Sequence, residues 1–152
     1  MTAGAALPIE EALPRIRDAL AAGNRLVLAA PPGAGKTTRV PLALLNEAWL
    51  AGRRVLVLEP RRIAARMAAE RMAAMLGEKV GATVGLSTRV DRRVSAKTRI
   101  EVVTDGLFTR RILSESDLAG IGAVLFDEFH ERSLAADLGL ALARDVQGAL
   151  RE

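Results

Sequence analysis

Four short apolar runs punctuate the chain, at residues 26–30 (LVLAA), 54–59 (RVLVLE), 100–104 (IEVVT) and 123–126 (AVLF), and each is followed by a stretch with helical patterning. Runs this short, bounded by turn residues, read as buried strands. Strands that alternate with helices pair in parallel through right-handed crossovers, because each crossover helix must pack back onto the sheet. The expected fold class is therefore α/β, a mainly parallel sheet with helices on both faces. AVLF is apolar without a break, as suits a strand covered on both sides. Helices are expected from 61 to 76, where Gly77 stops the pattern, from 107 to 113 and from 134 to 151. Ahead of the first run, Ile16 and Leu20 predict a short helix that ends at Gly23, where glycine accepts a left-handed cap.

A length of 152 residues, half of them hydrophobic in the broad sense, suits one domain. With no cysteine and one histidine, thiol nucleophiles, disulfides, iron–sulfur clusters and cysteine-ligated zinc are excluded. That composition fits a reducing compartment, and the chain is expected to be cytoplasmic. The net charge of +4 is carried almost wholly by arginine, since Lys36, Lys79 and Lys97 are the lysines. Aromatic residues make up 3%, which weakens any scheme in which bases stack along an aromatic platform. No apolar run approaches the roughly 20 residues of a membrane helix, and residues 1–11 lack the basic start of a secretory signal. No membrane association is expected.

The segment APPGAGKTT, residues 30–38, lies where a strand ends and a helix must begin. A polyphosphate needs several backbone N–H groups converging on it, which calls for residues such as Gly33 and Gly35 that put no side chain in the way. Ala34 lies between them, and Thr38 continues into the helix. Lys36 supplies a charge for the outer phosphates, Thr37 a hydroxyl for Mg²⁺, and the helix start its partial positive charge. The usual cradle opens with glycine where this chain has Ala30. The plain alternative is a glycine-rich turn beside an exposed lysine.

Directly after AVLF come Asp127, Glu128, Phe129 and His130. A carboxylate at the C-terminal end of a parallel strand faces the crevice where such sheets bind ligands, so Asp127 can hold Mg²⁺ and Glu128 can orient or deprotonate an attacking water. Phosphoryl transfer asks little more of a protein than positioning and charge neutralisation. His130 is the one histidine and stands beside Glu128, which makes it a candidate for the site. An acidic helix start is the duller reading of the same letters. Two further segments, Glu59-Pro60-Arg61-Arg62 and Thr104-Asp105-Gly106, also lie at strand ends on the same edge, where arginines, a hydroxyl and free N–H groups can line a track for a phosphodiester backbone. Arg89, Arg92, Arg93, Lys97 and Arg99 form a basic stretch whose default reading is a solvated loop.

Taken in order, APPGAGKTT, LEPRRIAAR, VVTDGLFTR and DEFHERS resemble motifs I, Ia, Ib and II of a DEAH/DExH-box helicase of superfamily 2, most of all the bacterial HrpB-type ATP-dependent branch. The family's usual Thr-Gln before Pro-Arg-Arg is Leu58-Glu59 here, and DEAH is DEFH. The resemblance implies a P-loop NTPase with a RecA-like three-layer sandwich. It implies that Gly33, Ala34, Gly35, Lys36, Thr37 and Thr38 bind ATP, that Thr37 and Asp127 serve Mg²⁺ and that Glu128 activates water. By the same likeness, His130 relays the nucleotide state, while Pro60, Arg61, Arg62, Thr104, Asp105 and Gly106 grip single-stranded nucleic acid, RNA before DNA.

Such helicases continue past this point into a strand ending in Ser-Ala-Thr and a second RecA-like lobe that carries an arginine finger. Residues 1–152 thus correspond to the N-terminal ATP-binding domain, ending before motif III, with the second lobe absent and the sheet truncated. The absent strand lies in the family between those leading to Lys36 and Asp127, so the flanking strands must pair directly or remain unpaired. Slow hydrolysis is expected without the finger, whose loss costs about 10³–10⁵ in rate, and a C-terminal lobe or partner chain is expected for full activity. A small P-loop kinase and a nucleotide- or RNA-binding module without turnover are the competing functions.

Overall fold

The computed structural model describes residues 8–31, 34–115 and 118–149. The elements are α1 (Pro8–Ala22), α2 (Lys36–Leu44), β1 (Arg54–Glu59), α3 (Arg62–Met75), β2 (Val84–Ser87), β3 (Arg92–Arg93), β4 (Ile100–Thr104), α4 (Asp105–Ser114), β5 (Ile121–Phe126) and α5 (Leu134–Ala149). Sheet order is β3-β2-β4-β1-β5, with β2, β4, β1 and β5 parallel and β3 antiparallel to β2. The fold is the α/β sandwich expected from the alternation of runs.

Side-chain alternation along β1 builds two cores. Val55 and Val57 point to one face, where Ile9 and Ile16 of α1, Val40 and Leu44 of α2, and Ala65, Ala69 and Met72 of α3 cover them. Leu56 and Leu58 point to the other, against Phe108 and Ile112 of α4 and Leu142 and Val146 of α5. Helices α4 and α5 can come close because Gly139 has no side chain: a Cβ there would lie 3.2 Å from the Phe108 ring. Helix α3 is rich in alanine at its buried positions, which brings its backbone near the sheet, and Gly77 at φ 68° closes it as the sequence predicts.

One expectation fails. Residues 26–30 are not a buried strand: no strand is assigned there, Val27 is 95% exposed and Leu26 is 43% exposed. The run is apolar enough, but a strand exists only against a neighbour, and the sheet ends at β5. What holds the segment is Leu28, which packs on the core from within it, and a pair of contacts just before it, where Arg25 Nε donates to Gln147 Oε1 at 2.9 Å and Gln147 Nε2 donates to the carbonyl of Asn24 at 3.1 Å. Residues 26–30 and β5 therefore do not pair directly. The same open edge explains why residues 123–126 are half-buried rather than enclosed. Strands β2 and β3 went unforeseen. They frame a hairpin that ties part of the basic stretch to the sheet, with Arg93 opposite Leu86.

Candidate functional site

The C-terminal ends of β1, β4 and β5 lie side by side, so the segments that follow them share one edge of the sheet. Asp127 continues the β5 ladder, its N–H bonded to the carbonyl of Leu58 at 3.1 Å. Across from it, α2 opens at Lys36 behind Gly35, whose φ of 93° is the left-handed geometry that glycine takes without strain. From the first turn of α2, Thr37 Oγ1 donates to Asp127 Oδ2 at 2.7 Å, joining residues ninety positions apart. Ala34, Lys36 and Thr38 flank that contact in sequence; Ala34 and Thr38 are buried, and the Ala34 carbonyl accepts the N–H of Ile9. Gly33 lies outside the described residues. A hydroxyl against a half-buried carboxylate is a hard-oxygen donor pair of the kind that suits Mg²⁺, beside a helix start that favours phosphate.

The sequence places the acid behind this pair in a strand-end segment but gives it no role of its own. Glu59, last residue of β1, is 2% exposed, and its Oε1 has no hydrogen-bond partner. Burial, then a hydrogen bond with Asp127, then the negative charges of Asp127, Glu128 and Asp105 push its carboxyl up to about 9. Glu59 is thus neutral at ordinary pH. The signal available was a single acid closing an otherwise apolar strand.

Glu128 follows Asp127 at φ 54°, and its carboxylate Oε2 lies 3.3 Å from Nε2 of the exposed His130. The short 3-10 turn Phe129–Glu131 carries both neighbours onward. Pro60 is half-buried, and Arg61 and Arg62 are exposed at the start of α3, where an Arg61 NH2–Glu131 Oε2 ion pair of 2.6 Å joins the β1 end to the β5 end. At the β4 end, Thr104 is half-buried, Gly106 is exposed with open space around it, and Asp105 is 5% exposed with Ser133 Oγ donating to it at 3.4 Å. Burial chiefly raises the Asp105 carboxyl, the Ser133 hydrogen bond opposes this, and the Glu131 charge adds to it. The edge therefore brings Thr37 against Asp127, with Lys36 and Glu128 their neighbours in sequence, and sets Arg61, Arg62 and Gly106 on open surface.

Comparison with known proteins agrees with this arrangement. The DEAD/DEAH box helicase family model matches residues 10–139. The chain is 49% identical over 96% of its length to the ATP-dependent RNA helicase HrpB of Escherichia coli (strain K12), and 34% identical over 93% to the pre-mRNA-splicing factor ATP-dependent RNA helicase DEAH10 of Arabidopsis thaliana. It covers 18% and 20% of those two proteins, about a fifth of each. Among solved structures, the E. coli DExH-box NTPase HrpB superposes with a TM-score of 0.95 at 48% identity, over 99% of this chain and 19% of that one. A second HrpB crystal structure gives a TM-score of 0.91 at 49% identity, over 95% of this chain and 18% of that one. A RecA-like sheet with these motifs at its C-terminal edge, matched by the family model over most of its length, makes this chain a member of the DEAD/DEAH box helicase family.

Proposed function

We propose that this chain is the ATP·Mg²⁺-binding lobe of an RNA-dependent ATPase/helicase, the N-terminal RecA-like domain that ends before motif III. The observation that carries the reading is the 2.7 Å hydrogen bond from Thr37 to Asp127, which joins the phosphate-cradle helix to the acidic strand end. In this scheme Gly33 to Thr38 surround the polyphosphate with backbone N–H groups, and Lys36 supplies charge at its outer end. Thr37 and Asp127 are the residues that would hold Mg²⁺, which when bound neutralises charge on the phosphates. Glu128 orients or deprotonates the attacking water, and His130 beside it relays the nucleotide state. Pro60, Arg61 and Arg62, with Thr104, Asp105 and Gly106, grip phosphodiesters without regard to sequence.

The open side of β5 and the exposed run at 26–30 support a sheet that takes one more strand from outside this chain, with a second lobe beyond it. Among the described residues no helix is long and apolar enough to cross a membrane; a cytoplasmic location is part of this reading, and a sequence without cysteine fits a reducing compartment. Binding of a fluorescent ATP analogue and release of phosphate test the scheme together. Lys36→Ala abolishes nucleotide binding, whereas Glu128→Gln keeps binding and lowers hydrolysis by about 10²–10⁴, the usual weight of a general base. Phosphate passing to a small acceptor faster than to water would instead indicate a kinase. Tight ATP·Mg²⁺ binding with no turnover, RNA present, would indicate a binding module.

A further inference from the structure

The turn that carries Glu128 is held in an unfavourable backbone shape by contacts that can be named. Glu128 at φ 54° and Arg132 at φ 51° bracket the 3-10 turn, and both are side-chain-bearing residues in the left-handed region. Such geometry persists only where the surroundings enforce it. On the α5 side, Arg132 binds both oxygens of Asp137 at 3.0 and 2.9 Å and lies over the Phe129 ring, 5.6 Å from its centre. Phe129 also meets Phe126 edge to face. These pins are local to the segment. The ion pair from Arg61 to Glu131 reaches it from another strand end, and its arginine is 67% exposed. Carboxylate oxygens of Glu128 and Glu131 and a ring nitrogen of His130 all lie within 4.8 Å of one another, so Arg61 also offsets the negative charge that surrounds Glu128.

We propose that Glu131 is a positioning residue: through its ion pair with Arg61 it holds the 128–132 turn, and Glu128 with it, in a resting position that a phosphodiester releases by taking Arg61. The inference rests on the proposed function, in which Arg61 grips RNA and Glu128 attends to water. A guanidinium donates to a carboxylate or a phosphate oxygen in similar geometry, so the two compete for it. An exposed pair is weak enough to exchange at ordinary RNA affinities. Once Glu131 loses Arg61, the strained turn loses its remote anchor, and the local charge around Glu128 becomes more negative.

Binding of a short oligouridylate at low salt, together with amide hydrogen exchange, tests this. Glu131→Gln binds about two- to fivefold tighter than wild type, the range that an exposed ion pair supports. Arg61→Gln binds more weakly, and the double variant binds no more tightly than Arg61→Gln. Amides of residues 128–132 exchange faster in Glu131→Gln without RNA, and in wild type once RNA is added. Tightening that survives in the Arg61→Gln background, or exchange that neither change alters, overturns the inference. If wild type and Arg61→Gln behave as described but Glu131→Gln matches wild type, the latch fails while the RNA grip stands. If wild type binds no oligouridylate although it binds ATP, the grip fails and the latch with it.

Discussion

Two buried glutamates on neighbouring strands meet opposite fates. Glu101 of β4 is 1% exposed and fully engaged: Arg111 reaches both its oxygens at 2.8 and 3.1 Å, Arg54 approaches at 3.3 Å, and the Ser87 hydroxyl donates at 2.6 Å. Burial alone would raise its carboxyl, but the hydrogen bonds from Arg111 and Ser87 and the charges of Arg111 and Arg54 together outweigh it, and the group is held below the usual range. Glu59 of β1 is as deeply buried but faces Asp127 instead of a cation, and is pushed up to about 9. Burial is a penalty in both places, and the neighbours decide whether the acid keeps its charge. Glu101 ties α4 to the sheet as a charged acid, whereas Glu59 stands beside Asp127 as a neutral one.

The comparison breaks most visibly at Glu101. Glu101→Leu leaves the Arg111 and Arg54 guanidiniums without their acid, and the expected loss is about 3 kcal/mol in chemical denaturation, near the low end for a broken buried pair because both arginines are partly exposed. A variant as stable as wild type would show that the network contributes nothing. Next in size is a pH effect of opposite sign at the two acids. The Glu59 carboxyl has its folded value above its unfolded one, so the native state holds a proton that the unfolded chain has lost, and stability falls as pH rises from about 4.5 to about 9. Glu101 is lowered, so its contribution is present above the unfolded value and is lost as pH falls through the folded one. Glu59→Gln therefore gains melting temperature relative to wild type as pH is raised, and a difference that stays flat between pH 5 and 9 contradicts a neutral Glu59. The smallest change is Ser87→Ala, which removes one donor from Glu101 and costs about 1.5 kcal/mol. A loss well beyond that would mean Ser87 supports more than the acid.

What the sequence made legible follows from where each signal resides. The α/β class, the closure of α3 at Gly77 and the meeting of Thr37 with Asp127 were readable, because apolar runs, a glycine stop and the chemistry of a phosphate cradle are written locally. Residues 26–30 misled for the same reason: an apolar run declares that it can be a strand, but not that a neighbour is there to pair with it. Four-residue β2 and two-residue β3 were too short for a periodic signal. The Glu101–Arg111 and Arg61–Glu131 pairs join separate elements across the fold, and nothing in the letters couples them. Glu59 was visible as an acid at a strand end, but its neutrality depends on carboxylates brought beside it by the parallel register of β1 and β5.

The central claim is that the cradle helix and the acidic strand end form one cation-dependent nucleotide site, and a double-variant cycle on Thr37→Val and Asp127→Asn tests it most directly. Affinity for a fluorescent ATP analogue is measured with Mg²⁺ and with excess chelator. The account predicts that wild type binds far more tightly with Mg²⁺, that each single change removes most of that gain, and that the double variant loses little more than either one. Binding indifferent to Mg²⁺ in wild type, or losses that simply add, would contradict it.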